Sequence, residues 1–302
     1  MTPTISLSGL TRRYRDQLAL DDVSLDIEGA AITGLLGRNG AGKTTLLRII
    51  AAQDFPTTGR VQVLGASPVE NAAILRRLML VREDQVFPDV KVRDVLRLAS
   101  WFYPNWSGEL AATLVEGSEL PANRYVGALS RGMRTALGNV IGLAARAELT
   151  LFDEPYAGLD AAARQRFNDR LLADYIEHPR TVVLSTHLID EVADLLERVV
   201  LIERGRIILD AAADEVRGSA TRVSGAVAAV ERFVAGRPTW DRRTIVSQTS
   251  VVVAATLDDG DRASARALRL SLEPLSLQQL VVHAAGGAVA SSAGASSERT
   301  LA

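Results

Sequence analysis

Gly37-Arg38-Asn39-Gly40-Ala41-Gly42-Lys43-Thr44-Thr45 fits the pattern G-x-x-x-x-G-K-[ST], in which a glycine loop cradles phosphate groups. Before it, Ala30–Leu36 is a short apolar run of buried-strand length. After it, Thr44–Ala52 carries apolar residues at helical spacing. Strand, loop and helix therefore stand in the order that phosphate binding needs. Gly37, Gly40 and Gly42 let backbone N–H groups turn inward, and the helix N-terminus adds its positive dipole end. Lys43 is placed to reach β- and γ-phosphates, and the Thr44 hydroxyl to sit on Mg²⁺. At average residue frequencies a chain of this length meets the pattern by chance on the order of 1% of the time, so the nucleotide reading displaces that of an accidental turn.

Composition narrows the remaining classes. The 302 residues hold 34 Lys+Arg against 36 Asp+Glu, a balance that argues for no nucleic-acid or lipid partner. Lys43 and Lys91 are the only lysines, so Lys43 stands where arginine is the habitual cation, as a demand for a flexible ammonium would require. The chain has no cysteine, which removes disulfide and thiol chemistry. No apolar run approaches the roughly 20 residues that span a bilayer, and the first residues lead into no secretory core. A cytoplasmic protein is expected.

Outward from the loop, Ile5–Leu10 and Leu20–Ile27 alternate as half-buried strands do. Tyr14 lies between them, where an exposed ring can stack on a base. Arg60–Gly65 and Leu78–Val81 read as strands, and Arg82–Pro88 as a polar loop. Val90 to about Arg146 is helical in pattern. Within it Trp101, Phe102, Tyr103 and Trp106 are expected to form a satellite core, and Ser130 to cap a helix. Leu149–Phe152 is an apolar strand delivering Asp153-Glu154 to its carboxyl end, the edge of an α/β sheet where ligands bind. One carboxylate can hold Mg²⁺ while its neighbour polarises a water. Thr181–His187 repeats the design with a histidine, and Val199–Leu209 reads as a hairpin.

After Asp210 the patterning weakens. Val223–Val234, Thr244–Leu257 and Ala267–Leu272 suggest strands and a helix around a small core, with Leu275–Ala284 a final helix. Residues 211–285 read as an accessory packing domain, with a ligand sensor as the alternative. Residues 286–302 have the composition of a disordered tail.

The phosphate loop, Ser130-Arg131-Gly132-Met133, Asp153-Glu154 and His187, in that order, resemble the ATP-binding subunit of an ABC transporter over about residues 4–210. The resemblance implies a P-loop NTPase α/β core (1–210) with an antiparallel β layer and a helical subdomain near 88–146. The C-terminal region would be α+β. It implies that Tyr14 stacks on adenine and that Gly37–Thr45 is the Walker A motif. Asp153 would be the carboxylate on Mg²⁺, Glu154 the general base, Asp160 the D-loop acid and His187 the switch histidine. The signature departs from the usual Leu-Ser-Gly-Gly-Gln, with Arg131 for the first glycine and Met133 for the glutamine. Aligning on Phe87-Pro88 puts Arg82 at the family's Q-loop glutamine and leaves Gln85 as the alternative Mg²⁺ ligand. With Phe102–Trp106, these departures resemble the exporter-type branch. ATP and Mg²⁺ are the implied cofactors. The implied partners are a second ATPase subunit, whose ATP the signature would touch, and membrane permease subunits that hold the protein at the inner membrane face. A soluble non-transport ABC ATPase and a regulatory ATP-binder are the competing readings.

Overall fold

In the computed structural model, which describes residues 3–283, the alternating segments near the start form two long strands, β1 (Ile5–Tyr14) and β2 (Gln17–Ile27). The apolar run before the glycine loop is β3 (Ile32–Leu36), buried at every position, and the helix after the loop is α1 (Lys43–Ile50). There follow β4 (Thr58–Val63), α2 (Ala72–Leu75) and β5 (Leu78–Arg82). The helical stretch resolves into α3 (Val92–Phe102), α4 (Gly108–Gly117) and α5 (Arg131–Ala144). Then come β6 (Leu149–Asp153), α6 (Ala161–Glu177), β7 (Thr181–Thr186), α7 (Ile189–Val192), β8 (Arg198–Glu203) and β9 (Arg206–Ala212).

Chain contacts divide the protein after Asp210. In the first unit a six-stranded sheet has the order β5-β6-β7-β3-β8-β9, parallel from β5 to β8. An antiparallel sheet, β2-β1-β4, forms a second layer. The near-continuous apolar runs of β3, β6 and β7 fit strands covered on both faces. Between the layers α1 buries Leu46, Leu47, Ile49 and Ile50 against Ile5, Leu7 and Leu20, each such side chain contributing about 1.5–3 kcal/mol. This is a P-loop α/β core with an antiparallel layer.

The aromatic segment departs from expectation. Trp101 and Phe102 are about two-thirds exposed rather than cored. Trp101 lies nine residues past buried Val92, two and a half turns on, so it emerges on the opposite side of α3. Tyr103 does turn inward, its hydroxyl 2.8 Å from Met79 Sδ.

The second unit holds α8 (Ala213–Gly218), β10 (Thr221–Ala226), α9 (Val227–Val234), β11 (Thr239–Ile245), β12 (Gln248–Val253), α10 (Asp259–Ala267) and β13 (Ser271–Pro274). Residues 277–283 are helical. Its antiparallel sheet runs β11-β12-β10-β13. One face of the sheet packs Val223, Val251 and Val253 against Val230 and Phe233 of α9. The tail reading for 286–302 lies outside the described residues.

Candidate functional site

Gly42 turns the chain into α1 with a left-handed backbone, φ 113°. A Cβ there would stand 2.7 Å from the Ala19 carbonyl oxygen, so only glycine fits. The helix it opens has no side-chain cap and no acid in its first turn. Its leading N–H groups are thus left for an anion. Lys43 is buried, its Nζ donating to the carbonyls of Gly37 (2.7 Å) and Arg38 (3.2 Å). The same Nζ lies 3.5 Å from Glu154 Oε1.

Sheet register brings the other groups to this point. Asp153 at the end of β6 pairs with Ser185 of β7 and with Arg82 of β5. Its carboxylate accepts from the Ser185 hydroxyl at 2.9 Å and from the Thr44 side chain. Burial is the largest influence on Asp153 and pushes its pKa up, against those hydroxyl bonds, with the Glu154 charge adding to the rise. Glu154 follows in the left-handed region, φ 52°, with its N–H on the Ser185 carbonyl at 2.9 Å. A non-glycine residue there costs of order 1–3 kcal/mol, and the turn swings its carboxylate out of the strand direction. Glu154 Oε2 lies 2.9 Å from His187 Nδ1 and 3.4 Å from the Thr186 hydroxyl. An ionised carboxylate only accepts, so Nδ1 is the donor in this contact and Nε2 is left free of Glu154.

Lys43, Thr44, Glu154 and His187 share one cleft of about 800 Å³ with Tyr14, Asn39, Gly40, Gly42 and Thr45, while buried Asp153 meets it only through Thr44. The cleft also includes residues that the sequence did not single out, among them Gln17, Ala19, Glu83, Tyr156 and Leu188. Gln17 and Ala19 follow Tyr14 at the start of β2, Tyr156 and Leu188 follow Glu154 and His187, and Glu83 comes from the loop after β5. The Tyr14 hydroxyl donates to Asp54, and the Arg12 guanidinium lies 4.3 Å from the ring centroid.

Gln85 does not reach the cleft. Its Oε1 accepts from the Arg82 N–H at 3.4 Å, closing the loop on itself. Arg82 points to Asp84 at 3.4 Å, and from this loop it is Glu83 that enters, paired with Arg131. Ser130 caps α5, accepting from the Met133 N–H at 3.2 Å. With Gly132 and Met133 it lines a separate cavity of about 810 Å³, together with Asp160, which caps α6. A Cβ at Gly132 would come within 2.4 Å of the Gly158 carbonyl oxygen, so α5 and the segment before α6 meet backbone to backbone.

A glycine loop at a helix N-terminus, a buried lysine and strand-end carboxylates together define a P-loop nucleotide-binding protein. A family model described as ABC transporter matches residues 20–157. The chain is 33% identical over 212 residues to aliphatic sulfonates import ATP-binding protein SsuB 2 of Streptomyces avermitilis, covering 70% of this chain and 82% of the relative. It is 32% identical over 217 residues to Nod factor export ATP-binding protein I of Neorhizobium galegae, covering 69% and 62%. Among solved structures, an ATP binding subunit of an ABC transporter superposes with TM-score 0.64 at 23% identity, over 71% of this chain and 92% of that one. The dimeric ATP-binding cassette MJ0796, bound to ADP and Pi, gives 0.60 at 24% identity, over 69% and 98%. The chain belongs to the ATP-binding proteins of ABC transporters, and as such it is an ATPase that works on ATP with Mg²⁺.

The residues present fit that metal. Asp153 is a desolvated carboxylate beside the Thr44 hydroxyl, hard oxygen donors of the kind Mg²⁺ prefers. No group of three or more His, Cys, Asp or Glu among the described residues could hold a metal alone. Mg²⁺ would therefore rest on Thr44, Asp153 and the nucleotide's own phosphate oxygens.

Proposed function

We propose that this chain is the motor subunit of a membrane transporter, hydrolysing ATP between two copies and passing the movement to separate permease subunits. The observation that carries the proposal is the convergence of Lys43, Glu154 and His187 at the glycine loop. Lys43 and the N–H groups of the loop hold the β- and γ-phosphates. Bound Mg²⁺ supplies neutralisation of the charge that develops on the transferred phosphoryl group. Glu154, fixed by His187 on one oxygen and Lys43 near the other, takes a proton from the attacking water. Water oxygen bonds to the γ-phosphorus as the bond to the bridging oxygen of ADP breaks. Tyr14 is the platform for the base, and the Arg12 guanidinium must yield one ring face to it.

Ser130, Gly132 and Met133 line the cavity they share with Asp160 and not the cleft of the chain's own glycine loop, which Arg131 alone of the signature reaches. That placement supports their acting on ATP held by a second subunit. Among the described residues no helix is long and apolar enough to cross a membrane, so the movement must be passed to other chains. Such partners would hold the protein at the inner membrane face. The relatives' names include both import and export. Export rests here on Arg131, Met133, the Q-loop departure at Arg82 and the Phe102–Trp106 segment, while the sulfonate relatives weigh towards import.

Glu154→Gln tests the chemistry, since the amide keeps the shape and loses the proton acceptor. ATP binding should persist, turnover should fall by roughly 10²-fold or more, and an ATP-bound dimer should accumulate on gel filtration. Turnover near that of the wild type would remove Glu154 from this role. Flux assays in both directions, with the permease reconstituted, decide the direction.

A further inference from the structure

The second unit's sheet buries Val223, Val251 and Val253 on one face. Alternation then puts Arg222, Ser224 and Ser250 on the other. That face is the floor of a cleft of about 860 Å³, whose lining includes Arg222, Ser224, Trp240, Asp241, Arg243 and His283. The size lies within the range of small-molecule pockets, about 300–1,000 Å³.

The polar groups of the cleft are held in place before any ligand arrives. Ser224 Oγ donates to Ser250 Oγ at 3.0 Å, and Arg222 reaches the same Ser250 at 3.4 Å. Arg222 Nη2 donates to Asp241 Oδ2 at 2.8 Å, and Arg243 Nε to Oδ1 at 3.0 Å. One carboxylate thus sits between two guanidinium groups, leaving an excess positive charge. Arg243 is 72% exposed and spends only Nε on Asp241. The register of β11 shifts between Trp240 and Arg243, and Asp241 has a left-handed backbone, φ 47°. Such bulges re-aim side chains and are enriched beside binding sites. Trp240 stacks on His283, centroids 3.7 Å apart and rings within 2° of parallel. Its Nε1 is buried and has no partner. Ile245 and Val282, both exposed, add apolar wall.

We infer that this cleft binds a small organic monoanion, a carboxylate or sulfonate on an aromatic or apolar body. Arg243 and Arg222 take the anionic group, and Trp240 with Ile245 and Val282 take the body. A polyphosphate suits the cleft less, because Asp241 lies between the two cations. Its lining shares no residue with the nucleotide cleft, and the proposal takes the ligand-sensor reading of residues 211–285 over packing alone.

Calorimetric titration of the full chain with benzoate, benzenesulfonate, neutral benzamide and adenosine monophosphate tests this. One anion should bind per chain at least about 10-fold more tightly than benzamide, the scale of one charge-assisted bond. Arg243→Ala should weaken it by about 10-fold or more, and Arg243→Lys by less. Both variants should keep the wild-type ATPase rate without anion. Equal binding of benzamide, indifference to Arg243→Ala, tighter binding of the nucleotide that Arg243→Ala abolishes, or no saturation by either anion up to roughly 10 mM would each overturn the assignment.

Discussion

Asp153 is a carboxylate that the folded chain keeps charged at a cost. Burial raises its pKa above the ordinary 3.8, and the Thr44 and Ser185 hydroxyls only partly oppose the rise. The folded state therefore favours the protonated acid. Its contribution to stability is largest below the unfolded value and is lost as pH rises through the raised folded one. Asp153→Asn removes that charge, so the nucleotide-free variant should melt higher than wild type at neutral pH. The difference should shrink as pH falls through the raised folded pKa, where wild-type Asp153 takes up its proton. Turnover should fall at least about 10²-fold, since a metal's charge stabilisation is worth several kcal/mol. A variant that melts lower at neutral pH would mean the Ser185 and Thr44 bonds outweigh desolvation. At this scale the sequence showed much of the cleft, because Lys43 begins α1 and Glu154 and His187 directly follow β6 and β7. Glu83 was not legible, because what accompanies it at the cleft is a pairing with Arg131, distant in sequence.

The loop after β5 is where element and motif part company. Sheet register sets Arg82 beside Asp153, as the alignment on Phe87-Pro88 implies, yet Arg82 turns to Asp84 and Gln85 folds back on the loop. Reading Gln85 as the alternative metal ligand has a chemical basis, because an uncharged amide can touch Mg²⁺ where the Arg82 guanidinium would repel it. That reading overlooks that the same amide is an equally good acceptor for the turn's own N–H. Glu83 enters instead and pairs with Arg131 at the start of α5. That pair ties the loop to the signature helix at the residue that departs from the usual glycine. If the tie matters for turnover, Glu83→Ala and Arg131→Ala should lower ATPase activity by similar factors. The double variant should be no slower than the worse single one, since residues acting as one contact are non-additive. For an exposed pair the coupling should be about 0.2–1 kcal/mol, shrinking with salt. Additive losses would show that loop and helix act separately. The exposed Trp101 and Phe102 illustrate the same gap, because aromatic density alone does not say which side of a helix faces inward.

At the scale of the molecule, the two units keep separate cores. The principal core of the first, from Ile5 to Ile202 with Ile207 packed against it, includes no side chain beyond the division. That of the second is built only from residues 223–272. The change of texture after Asp210 was visible in sequence because strong strand and helix periodicity gives way there to short, weakly patterned segments. The polar face of the second sheet was not, since Arg222 and Asp241 become neighbours only through strand pairing. Ending the chain after Asp210 keeps the bonds of Arg198 to Asp210, both 2.7 Å. It removes only Ala211 and Ala212 from β9. The glycine loop, Asp153, Glu154 and His187 lose no partner described above. ATP affinity of the shortened protein should therefore stay within about twofold of the full chain, as independent sites differ by roughly 0.3–0.5 kcal/mol. Binding of benzoate should disappear with the second sheet. Thermal stability or dimerisation should fall where the removed unit supports them, which calorimetry and gel filtration would register. Loss of ATP binding by a shortened protein that still unfolds cooperatively would mean that the second unit helps build the nucleotide cleft.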